Sequence, residues 1–591
     1  MSDTTMNPSG DSAKTLLAQL RYLFDRQDRW QAAGLLGLMI FGAALEMFAV
    51  AMIFPLIQSL ANPGGEPSMP IAAALYRLTA SRGQAAFIFS LLTFLVAFYV
   101  VKNIFFTVLI YRQNRFGFRT QGKLSSRLFA HYLSLPYTFH LQRNTADLLR
   151  NLTYESDQLV WSVLIPGLTL ITEALIALGL MVLLFSFSFQ AAMVIFLLFG
   201  VTGVFYYRFF RDSLQRWGGA RLHHEAMRIR SVHEGLGGLK ELKVLGRSQF
   251  FLDSYAEHNR QRARVSSRQN LVQNSNLLLL EVLGVSSLLI LVALHLAQGN
   301  EFSSILPMMG IFAGAAFRLI PATNRIIGTF QLVQYCAPVI RTMYTELSLP
   351  GPDRAAARRP AGFDRWESIG LDKVSFQYPE TRNWILRDVS LTIRRGDLVG
   401  FIGPSGTGKT TLVDVFLGIL PPSGGRITVD NHDVANHVEE WQRQVGYIPQ
   451  NIYLMDGSIR TNVAFGIKDS EIDDRAVERA LGDAQLLEFT KSLPLGINTS
   501  VGEIGNRLSG GQRQRIGIAR ALYHEPSILV LDEATSSLDE ATETDVMTAL
   551  GGLARKKTIL VVSHRLKSIR ECDRVYELRT CRLEEVAKGR I

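Results

Sequence analysis

A glycine-rich stretch at residues 403–410 has the residue types and spacing of a phosphate-binding loop. It follows an apolar strand predicted over 397–402 and precedes a helix predicted over 410–420. In this setting the glycines let backbone N–H groups surround phosphate oxygens, Lys409 neutralises the outer phosphates, and the Thr410 hydroxyl can ligate Mg²⁺. The stretch fits G-x-x-x-x-G-K-[ST] as Gly403-Pro404-Ser405-Gly406-Thr407-Gly408-Lys409-Thr410. These residues predict a nucleoside triphosphate site.

A second apolar run ends in two adjacent carboxylates. Residues 528–531, Ile-Leu-Val-Leu, are typical of a buried parallel strand, and Asp532 and Glu533 follow directly. In proteins with a phosphate loop, an aspartate here holds Mg²⁺ through water, and a glutamate can polarise the water that attacks the γ-phosphate. Together, the two stretches predict nucleotide hydrolysis.

Residues 508–512, Leu-Ser-Gly-Gly-Gln, complete a set of motifs that resembles the ATP-binding-cassette (ABC) domain. They precede an arginine-rich helix predicted over 513–522, and the order of motifs over residues 369–591 matches that family without a gap. The Leu-Ser-Gly-Gly-Gln signature separates this family from other phosphate-loop proteins. The resemblance implies an α/β P-loop NTPase domain that binds ATP and Mg²⁺.

The resemblance also implies a role for each matching residue. Tyr378 corresponds to the aromatic residue that stacks on adenine, although its position alone equally fits an aromatic that packs on the sheet. Glu503 corresponds to an acidic residue that contacts the coupling elements of exporters. The implied catalytic residues are the general base Glu533, the switch histidine His564, and Gln450, which senses Mg²⁺ and faces the membrane domain. The implied metal ligands are Thr410, Gln450 and Asp532. The implied ATP contacts are Tyr378, Gly403, Pro404, Ser405, Gly406, Thr407, Gly408, Lys409, Thr410, Thr411, Ser509, Gly510, Gly511, Gln512 and Asp539.

The signature also bears on the oligomeric state. Ser509 and the two glycines after it provide hydroxyl and backbone donors at a helix N-terminus, and the resemblance implies that they cap the γ-phosphate of ATP held by a partner domain. A chain with a single cassette therefore cannot complete an ATP site by itself. We expect a C₂ homodimer with two identical sites; a heterodimer with a different chain is the alternative.

The elements that precede this domain are of a different kind. The hydrophobic fraction of 48% is concentrated in the first 340 residues, where six segments reach the roughly 20 residues that a membrane-spanning helix needs. The sequence predicts an all-α six-helix transmembrane domain over 1–345, a linker over 346–368, and a cytoplasmic α/β P-loop NTPase domain over 369–591. The predicted spans lie near 31–60, 85–111, 159–185, 190–210, 275–297 and 303–325.

Basic residues predict the orientation of the spans. Residues 1–29, 112–150 and 208–268 contain 4, 7 and 13 lysines and arginines, whereas the opposite loops contain only Arg77 and Arg82. By the positive-inside rule, the N-terminus, both basic connections and the NTPase domain are cytoplasmic. The formal net charge of +10 is thus placed to face a membrane surface, and we expect no nucleic-acid partner.

The two basic connections are rich in helix formers and predict helical extensions of the spans into the cytoplasm. Each is interrupted by a turn, at residues 135–140 and 235–238. A membrane domain driven by a soluble motor needs such protrusions, and we therefore expect coupling elements near 138–148 and 231–246. The alternative is a pair of solvated charged helices without a partner.

Charged residues within the predicted spans require a reason, because charge is expensive in a membrane. Glu46, Glu173 and Glu281 lie in mid-span, and Arg318 and Arg325 are seven residues apart on one face of the last span. If that face lines a cavity, its two guanidiniums suit a diphosphate or another acidic head group. Alternatively, Arg318 pairs with one of these glutamates and Arg325 extends to the interface.

The chain as a whole resembles an exporter-type ABC half-transporter. Residues 44–48 and 53–55 of the first span and 317–321 and 324–326 of the last are similar to flippases that turn lipid-linked oligosaccharides across the bacterial inner membrane. In that group an external helix follows the first span, as residues 70–80 predict here, although a plain helical connection is equally compatible, and cavity arginines meet the pyrophosphate. The resemblance implies a flippase for a pyrophosphate- or phosphate-linked glycolipid. A general lipid or hydrophobic-drug exporter is the first alternative, and a soluble ABC ATPase acting on DNA or ribosomes is a second.

Overall fold

The structure is a computed structural model, in which two compact units are described separately. The first comprises the described residues of Met1–Leu135 and Arg143–Gly351, and the second those of Pro136–Gln142 and Pro352–Ile591. The structure describes residues 13–61, 69–79, 83–187, 189–297, 302–351, 363–379, 381–534, 543–544, 551–552, 556–564 and 569–587.

The first unit is helical. Short π-helical segments at Asn151–Glu155 and Val160–Leu164 join its helices α7, α8 and α9 into one continuous stretch. The helices in chain order are α1 (Ala13–Leu23), α2 (Arg26–Ala51), α3 (Ile53–Ala61), α4 (Pro70–Thr79), α5 (Gln84–Ser134), α6 (Tyr137–Gln142, part of the second unit), α7 (Thr145–Arg150), α8 (Ser156–Leu159), α9 (Ile165–Phe187), α10 (Phe189–Gly237), α11 (Leu239–Leu245), α12 (Ser248–Ala297), α13 (Phe302–Tyr335) and α14 (Ala337–Leu347).

Long apolar helices dominate this unit, as the sequence predicts. A sixth long helix, α13, has 34 residues and covers the predicted span 303–325. Within the described residues, five stretches are long and apolar enough to cross a membrane, namely Arg26–Ser59, Gln84–Ser134, Thr145–Ser186, Ala192–Gly237 and Ser248–Ala293. The helices α5, α10 and α12 have 51, 49 and 50 residues, well beyond the roughly 20 that cross a bilayer. The predicted helical extensions of the spans are therefore present.

The predicted interruptions also coincide with helix ends. α5 ends at Ser134 because Leu135 adopts an extended conformation (ψ 150°) before Pro136, whose ring disfavours a helical preceding residue. α10 ends at Gly237, and Gly246 (φ 65°) ends α11 in the left-handed region that glycine adopts readily. The long helices are thus divided from shorter ones at these turns.

The predicted external segment is helical over Pro70–Thr79, which forms α4. Its Tyr76 packs edge-on against Phe87 of α5, with ring centroids 5.2 Å apart. Met52 and Leu91 belong to the same apolar cluster. α4 is therefore packed against the start of α5 in the described structure.

The second unit contains two sheets. The four-stranded sheet is antiparallel in the order β2-β1-β4-β5, and the six-stranded sheet has the order β10-β9-β3-β8-β7-β6, parallel except for β10. The strands are β1 (Ser368–Phe376), β2 (Leu386–Arg394), β3 (Leu398–Ile402), β4 (Gly424–Val429), β5 (His432–Asp433), β6 (Val445–Ile448), β7 (Ile528–Asp532), β8 (Thr558–Val562), β9 (Arg574–Arg579) and β10 (Arg582–Glu585). The described helices besides α6 are α15 (Lys409–Phe416), α16 (Val438–Arg443), α17 (Ile459–Val463), α18 (Asp474–Asp483), α19 (Leu487–Ser492) and α20 (Gly510–Leu522).

The domain boundaries differ from the prediction at both ends of the linker. α14 continues to Leu347, two residues past the expected end of the membrane domain at 345. Phe363 and Trp366 are 2% and 1% exposed in the core of the second unit, and Trp366 Nε1 donates to Ser527 Oγ at 3.0 Å. The packed cassette therefore begins before the predicted residue 369, because these two aromatic side chains need the sheet to bury them. Residues 352–362 of the predicted linker lie outside the described residues.

Candidate functional site

The predicted catalytic residues meet at one edge of the six-stranded sheet. β3, β8, β7 and β6 are parallel neighbours, and the carboxyl ends of parallel strands form the edge where α/β proteins bind ligands. The glycine-rich loop follows β3, Gln450 follows β6, Asp532 ends β7 with Glu533 directly after it, and His564 follows β8. Sheet topology thus brings together residues that are up to 161 positions apart in the chain, from Gly403 to His564.

The loop after β3 has the backbone of a phosphate cradle. Gly403 and Gly408 have φ values of 151° and 102°, and a Cβ at Gly408 would lie only 2.6 Å from Ile385 Cγ2. Glycine is therefore required at Gly408 for both its conformation and its close packing. Lys409 begins α15, and its Nζ donates to the carbonyl oxygens of Gly403 at 2.9 Å and Pro404 at 3.0 Å. The ammonium is consequently held at the loop, where phosphate oxygens would bind.

Glu533 is held through both of its carboxylate oxygens. Gln450 Nε2 donates to its Oε2 at 2.7 Å, and His564 Nε2 lies 2.6 Å from its Oε1 and 3.2 Å from Lys409 Nζ. The Glu533 backbone is in the left-handed region (φ 50°), and its N–H donates to Val562 O at 2.9 Å. Left-handed backbone at a non-glycine residue concentrates at functional sites. The arrangement places a fixed carboxylate where it can accept a proton from water.

Asp532 is buried beside the start of α15. It is 3% exposed, burial raises its pKa, and a hydrogen bond from Thr410 opposes that rise. One turn further along α15, Asp414 has its pKa raised to about 6 by burial and by the nearby charge of Asp532. Burial lowers the pKa of Lys409, which Glu533 and Asp532 partly offset. Asp414 was not among the predicted site residues, and its signal in the sequence is an aspartate within the apolar run 412–416.

The predicted metal ligands suit Mg²⁺. The Thr410 hydroxyl hydrogen-bonds the Asp532 carboxylate, so two oxygen donors already lie together, and Gln450 adds an amide oxygen at the same sheet edge. Mg²⁺ prefers oxygen ligands and is usually held by one or two protein groups together with substrate phosphates. Among the described residues no group of three or more His, Cys, Asp or Glu could hold a metal ion.

Tyr378 and Thr411 contact each other. The Tyr378 hydroxyl lies 3.1 Å from Thr411 Oγ1, and its ring packs edge-on against Phe376 with centroids 5.1 Å apart. Tyr378 is half-buried against the core of the second unit. Tyr378 therefore packs on the sheet, and its hydroxyl contact with Thr411 places it beside the phosphate loop.

The signature residues form the N-cap of α20. Ser509 Oγ accepts from Gln512 N at 3.2 Å, and Ser509 N donates to Gln512 Oε1 at 2.9 Å, which is a capping box. Ser509 is exposed, with Gly510 and Gly511 directly after it at the positive end of the helix dipole. This exposed helix end could accept an anion, as the sequence predicts. Asp539, another predicted ATP contact, lies outside the described residues.

The predicted coupling elements fall into separate parts of the fold. Residues 136–142 belong to the second unit, which also contains exposed Glu503, whereas α7 and α11 belong to the first. Burial raises the pKa of Tyr447 on β6, and Asp532, Asp414 and Tyr137 of α6 add to this rise. Tyr447 therefore interacts electrostatically with both α6 and the buried aspartates.

A second cluster of functional interest is a network of buried charges in the first unit. Glu46 forms ion pairs with Lys102, whose Nζ lies 3.1 Å from its carboxylate, and with Arg318, whose Nε lies 2.7 Å from it. Glu173 forms an ion pair with Arg325, whose Nε lies 2.8 Å from its carboxylate, and Arg318 Nη2 lies 3.8 Å from it. Glu46, Lys102 and Glu173 are only 5%, 6% and 6% exposed. Four helices, α2, α5, α9 and α13, therefore contribute to one ionic network.

The network combines the two interpretations considered for the arginines. Arg318 pairs with Glu46, as the alternative interpretation expected, and its side chain is 22% exposed. Arg325 also pairs with a glutamate, yet 42% of its side chain is exposed. Lys102 was not predicted as a member of this network. A lysine inside the apolar span 85–111 nevertheless indicates a buried carboxylate partner. Glu281 is exposed and forms no ion pair with the described residues.

Arg325 lines a cavity of about 330 Å³ between α9, α12 and α13. Its polar lining residues besides Arg325 are Thr169, Gln273, Asn274, Asn324 and Thr329. The cavity therefore has one cationic group and several neutral polar groups, beside the apolar side chains of Ile165, Pro166 and Leu332.

Comparison with known proteins agrees with both units. Residues 35–313 match the family model "ABC transporter transmembrane region", and residues 386–536 match the model "ABC transporter". The chain is 30% identical over 480 residues to an ATP-dependent lipid A-core flippase from Alkalilimnicola ehrlichii, covering 80% of each chain. It is 29% identical over 472 residues to a protein of the same name from Ralstonia nicotianae, covering 79% of each.

The fold has a solved counterpart. A bacterial Atm1-family ABC exporter with ATP bound superimposes with a TM-score of 0.78 at 22% identity, covering 95% of this chain and 96% of that one. Its likeness extends over both the helical and the α/β unit. Sequence matches, fold and the assembled nucleotide site agree, and the chain belongs to the ABC transporter family as a multi-pass membrane exporter driven by ATP hydrolysis.

Proposed function

We propose that this exporter is a flippase for a glycolipid whose head group carries a phosphate or pyrophosphate. The observation that supports it most is the charge of the network around Arg318 and Arg325. Two carboxylates, Glu46 and Glu173, face three cations including Lys102, and the network therefore has a net charge of +1. An uncompensated charge in a membrane domain is unfavourable unless a ligand neutralises it.

The excess positive charge is located where a ligand can reach it. Arg325 is the most exposed member of the network and the one that lines the cavity. A guanidinium recognises phosphate through charge-assisted hydrogen bonds. Arg318 lies deeper and already pairs with Glu46, and we therefore assign it to holding the network, with Arg325 as the phosphate contact.

Two kinds of lipid fit this chemistry. The relatives from Alkalilimnicola and Ralstonia are named lipid A-core flippases, whereas residues near Glu46, Arg318 and Arg325 resemble flippases of lipid-linked oligosaccharides. Both lipids combine sugar, phosphate and lipid chains in one molecule. We therefore define the substrate by this shared chemistry and let the experiment separate the two lipids. Consistent with either, we place the protein in the bacterial inner membrane with its N-terminus and cassette in the cytoplasm.

The motor roles are part of the same proposal. Glu533 is the general base, oriented by His564 and Gln450, and Lys409 with the loop glycines binds the phosphates. Mg²⁺, held by Thr410, Asp532 and Gln450, supplies charge neutralisation on the phosphates when bound.

The ATP site is shared between two copies of the chain. In a C₂ homodimer the exposed Ser509 of one copy caps ATP on the loop of the other. Binding closes the cassettes and hydrolysis reopens them. The predicted elements near 138–148 and 231–246 transmit this motion to the spans, and the grouping of residues 136–142 with the cassette in the second unit supports the first of these.

A hydrophobic-drug exporter is the rival function. Such an exporter needs an apolar cavity, and burying a net charge and several polar groups beside an apolar ligand would be unfavourable. The polar lining near Arg325 favours the glycolipid.

The test is ATPase stimulation and flipping by purified protein in proteoliposomes. The lipids are lipid A-core, a polyprenyl-pyrophosphate oligosaccharide, and a neutral glycosyl diacylglycerol that lacks phosphate. We expect stimulation by at least one phosphate-bearing lipid and none by the neutral one.

Arg325→Ala should raise the half-stimulating lipid concentration about 10- to 100-fold, the range for a lost hydrogen bond to a charged group. Arg264→Ala, at an exposed arginine of α12 outside the cavity lining, is the matched control and should match wild type. Equal stimulation by the neutral lipid, or an unaffected Arg325→Ala protein, would contradict the proposal.

A further inference from the structure

The cavity next to Arg325 contains five neutral side chains that can both donate and accept hydrogen bonds, and a phosphate can use only their donors. Thr169 lies on α9, Gln273 and Asn274 on α12, and Asn324 and Thr329 on α13. An ionised phosphate only accepts hydrogen bonds, whereas side-chain amides and hydroxyls both donate and accept. A ligand group that uses both functions of these side chains is uncharged and carries donors as well as acceptors.

The amide groups are positioned rather than loose. Gln273 Oε1 accepts from Gln269 Nε2 at 2.6 Å, so its NH₂ group is the donor that remains. That nitrogen lies 3.8 Å from the point where a Cβ on Gly328, another wall residue, would sit. The donor thus lies at the cavity wall, close to the glycine that leaves room for the cavity.

A buried pair of amides holds the two main walls together. Asn276 and Gln331, 0% and 2% exposed, exchange hydrogen bonds of 3.0 and 3.2 Å between α12 and α13. They lie two and three residues beyond the lining residues Asn274 and Gly328. Because two-way amide bonding fixes both side chains, the wall residues beside them are presented in a defined geometry.

Asn324 lacks a partner for its acceptor. Its Oδ1 is buried and has no hydrogen-bond partner in the part of the chain that the structure describes. A buried acceptor without a partner is unfavourable. Rotation about the soft terminal torsion of asparagine exchanges its two amide atoms, and it can bring the oxygen to a donor in the cavity. Arg325 follows directly in the chain, so that donor would belong to a group next to the phosphate.

We propose that Gln273, Asn274 and Asn324 form a saccharide subsite, which binds hydroxyl or amide groups of the sugar adjacent to the phosphate held by Arg325. This inference rests on the proposed function and extends it from the lipid phosphate to the sugar. Sugar hydroxyls donate and accept without charge, which matches the lining. A lipid with a bare phosphate would leave the acceptor oxygens of these amides without a donor from the ligand.

The test compares lipids that share the acidic group but differ in the sugar. Half-stimulating concentrations for ATPase activity are measured with the stimulating glycolipid, with unglycosylated polyprenyl pyrophosphate and with phosphatidate. We expect wild type to respond at lower concentrations of the glycolipid than of either bare lipid. Asn324→Ala and Asn274→Ala should each raise the glycolipid value about three- to tenfold, as expected for one neutral hydrogen bond, and leave the bare-lipid values unchanged.

The variants and controls keep the result interpretable. Asn274 is exposed, and its substitution should therefore leave folding intact even if Asn324→Ala does not. Asn270→Ala, on the same helix but not in the cavity lining, should behave as wild type.

Equal wild-type responses to glycolipid and bare lipids, or variants that shift all lipids equally, would overturn the saccharide subsite while leaving phosphate recognition by Arg325 in place. If no phosphate-bearing lipid stimulates wild type, the proposed function itself fails and the subsite fails with it.

Discussion

The buried charges of the first unit lead to a quantitative prediction for Glu46→Gln. The amide keeps the size of the side chain but removes its charge, which leaves Lys102, 6% exposed, without its carboxylate partner. Arg318 loses its 2.7 Å partner and retains only Glu173 at 3.8 Å. Because the net charge rises from +1 to +2 in a buried setting, we expect a loss of about 3–5 kcal/mol in unfolding free energy.

This loss converts into a measurable shift in Tm. With an unfolding entropy of about 2.1 cal/mol/K per residue and roughly 340 residues in the first unit, it corresponds to about 4–7 °C. The double variant Glu46→Gln/Lys102→Met restores the net charge to +1 and should recover most of the loss. The Tm of each variant is measured on the full chain in detergent, with thermal unfolding monitored by size exclusion.

Glu281→Gln is the matched control. Glu281 is exposed and has no ion pair in the described structure, and the same change there should shift the unfolding free energy by about 0.5 kcal/mol or less. Equal Tm values for Glu46→Gln and Glu281→Gln would contradict this prediction. So would a Glu46→Gln/Lys102→Met protein whose loss of stability equals the sum of the losses in Glu46→Gln and Lys102→Met.

Three further predictions concern the cassette. Glu533→Gln should lower ATP hydrolysis about 10²- to 10⁴-fold, the range for a lost general base, while ATP still binds; single-turnover hydrolysis together with nucleotide retention checks this, and a wild-type rate would exclude Glu533 as the base. Dimers that pair a Ser509→Ala copy with a Lys409→Ala copy should retain one intact site and about half the wild-type ATPase rate, whereas each homodimer is inactive; an inactive mixed dimer would exclude the shared site. The raised pKa of Asp414 means that the folded state binds its proton more tightly than the unfolded chain does. Its contribution to stability therefore falls as pH rises from 3.8 to about 6, and stays low above that. Asp414→Asn should flatten the Tm-versus-pH curve in that window and raise Tm at pH 8, and the exposed Asp456→Asn should not; parallel curves for wild type and Asp414→Asn would contradict the assigned burial.

The nucleotide site was largely predictable because each motif is local. Gly408 and Lys409 follow one another along the chain, and the loop conformation depends on glycine backbones over eight residues. The capping box of Ser509 and Gln512 likewise spans three positions. Such signals depend on spacing along one segment and survive without knowledge of the rest of the fold. Hydropathy similarly located the long helices, and Pro136 and Gly238 marked where they end.

What the sequence by itself determined was therefore the type of each element and the chemistry of each motif. Only the tertiary structure decided which distant side chains meet. Gln450, Glu533 and His564 converge because three parallel strands end at one edge, and Lys102 meets Glu46 because α5 packs beside α2. Arg325 gained its proposed role in the same way, since its cavity exists only where α9, α12 and α13 pack together. Contacts of this kind depend on the packing of whole elements, which no local spacing records.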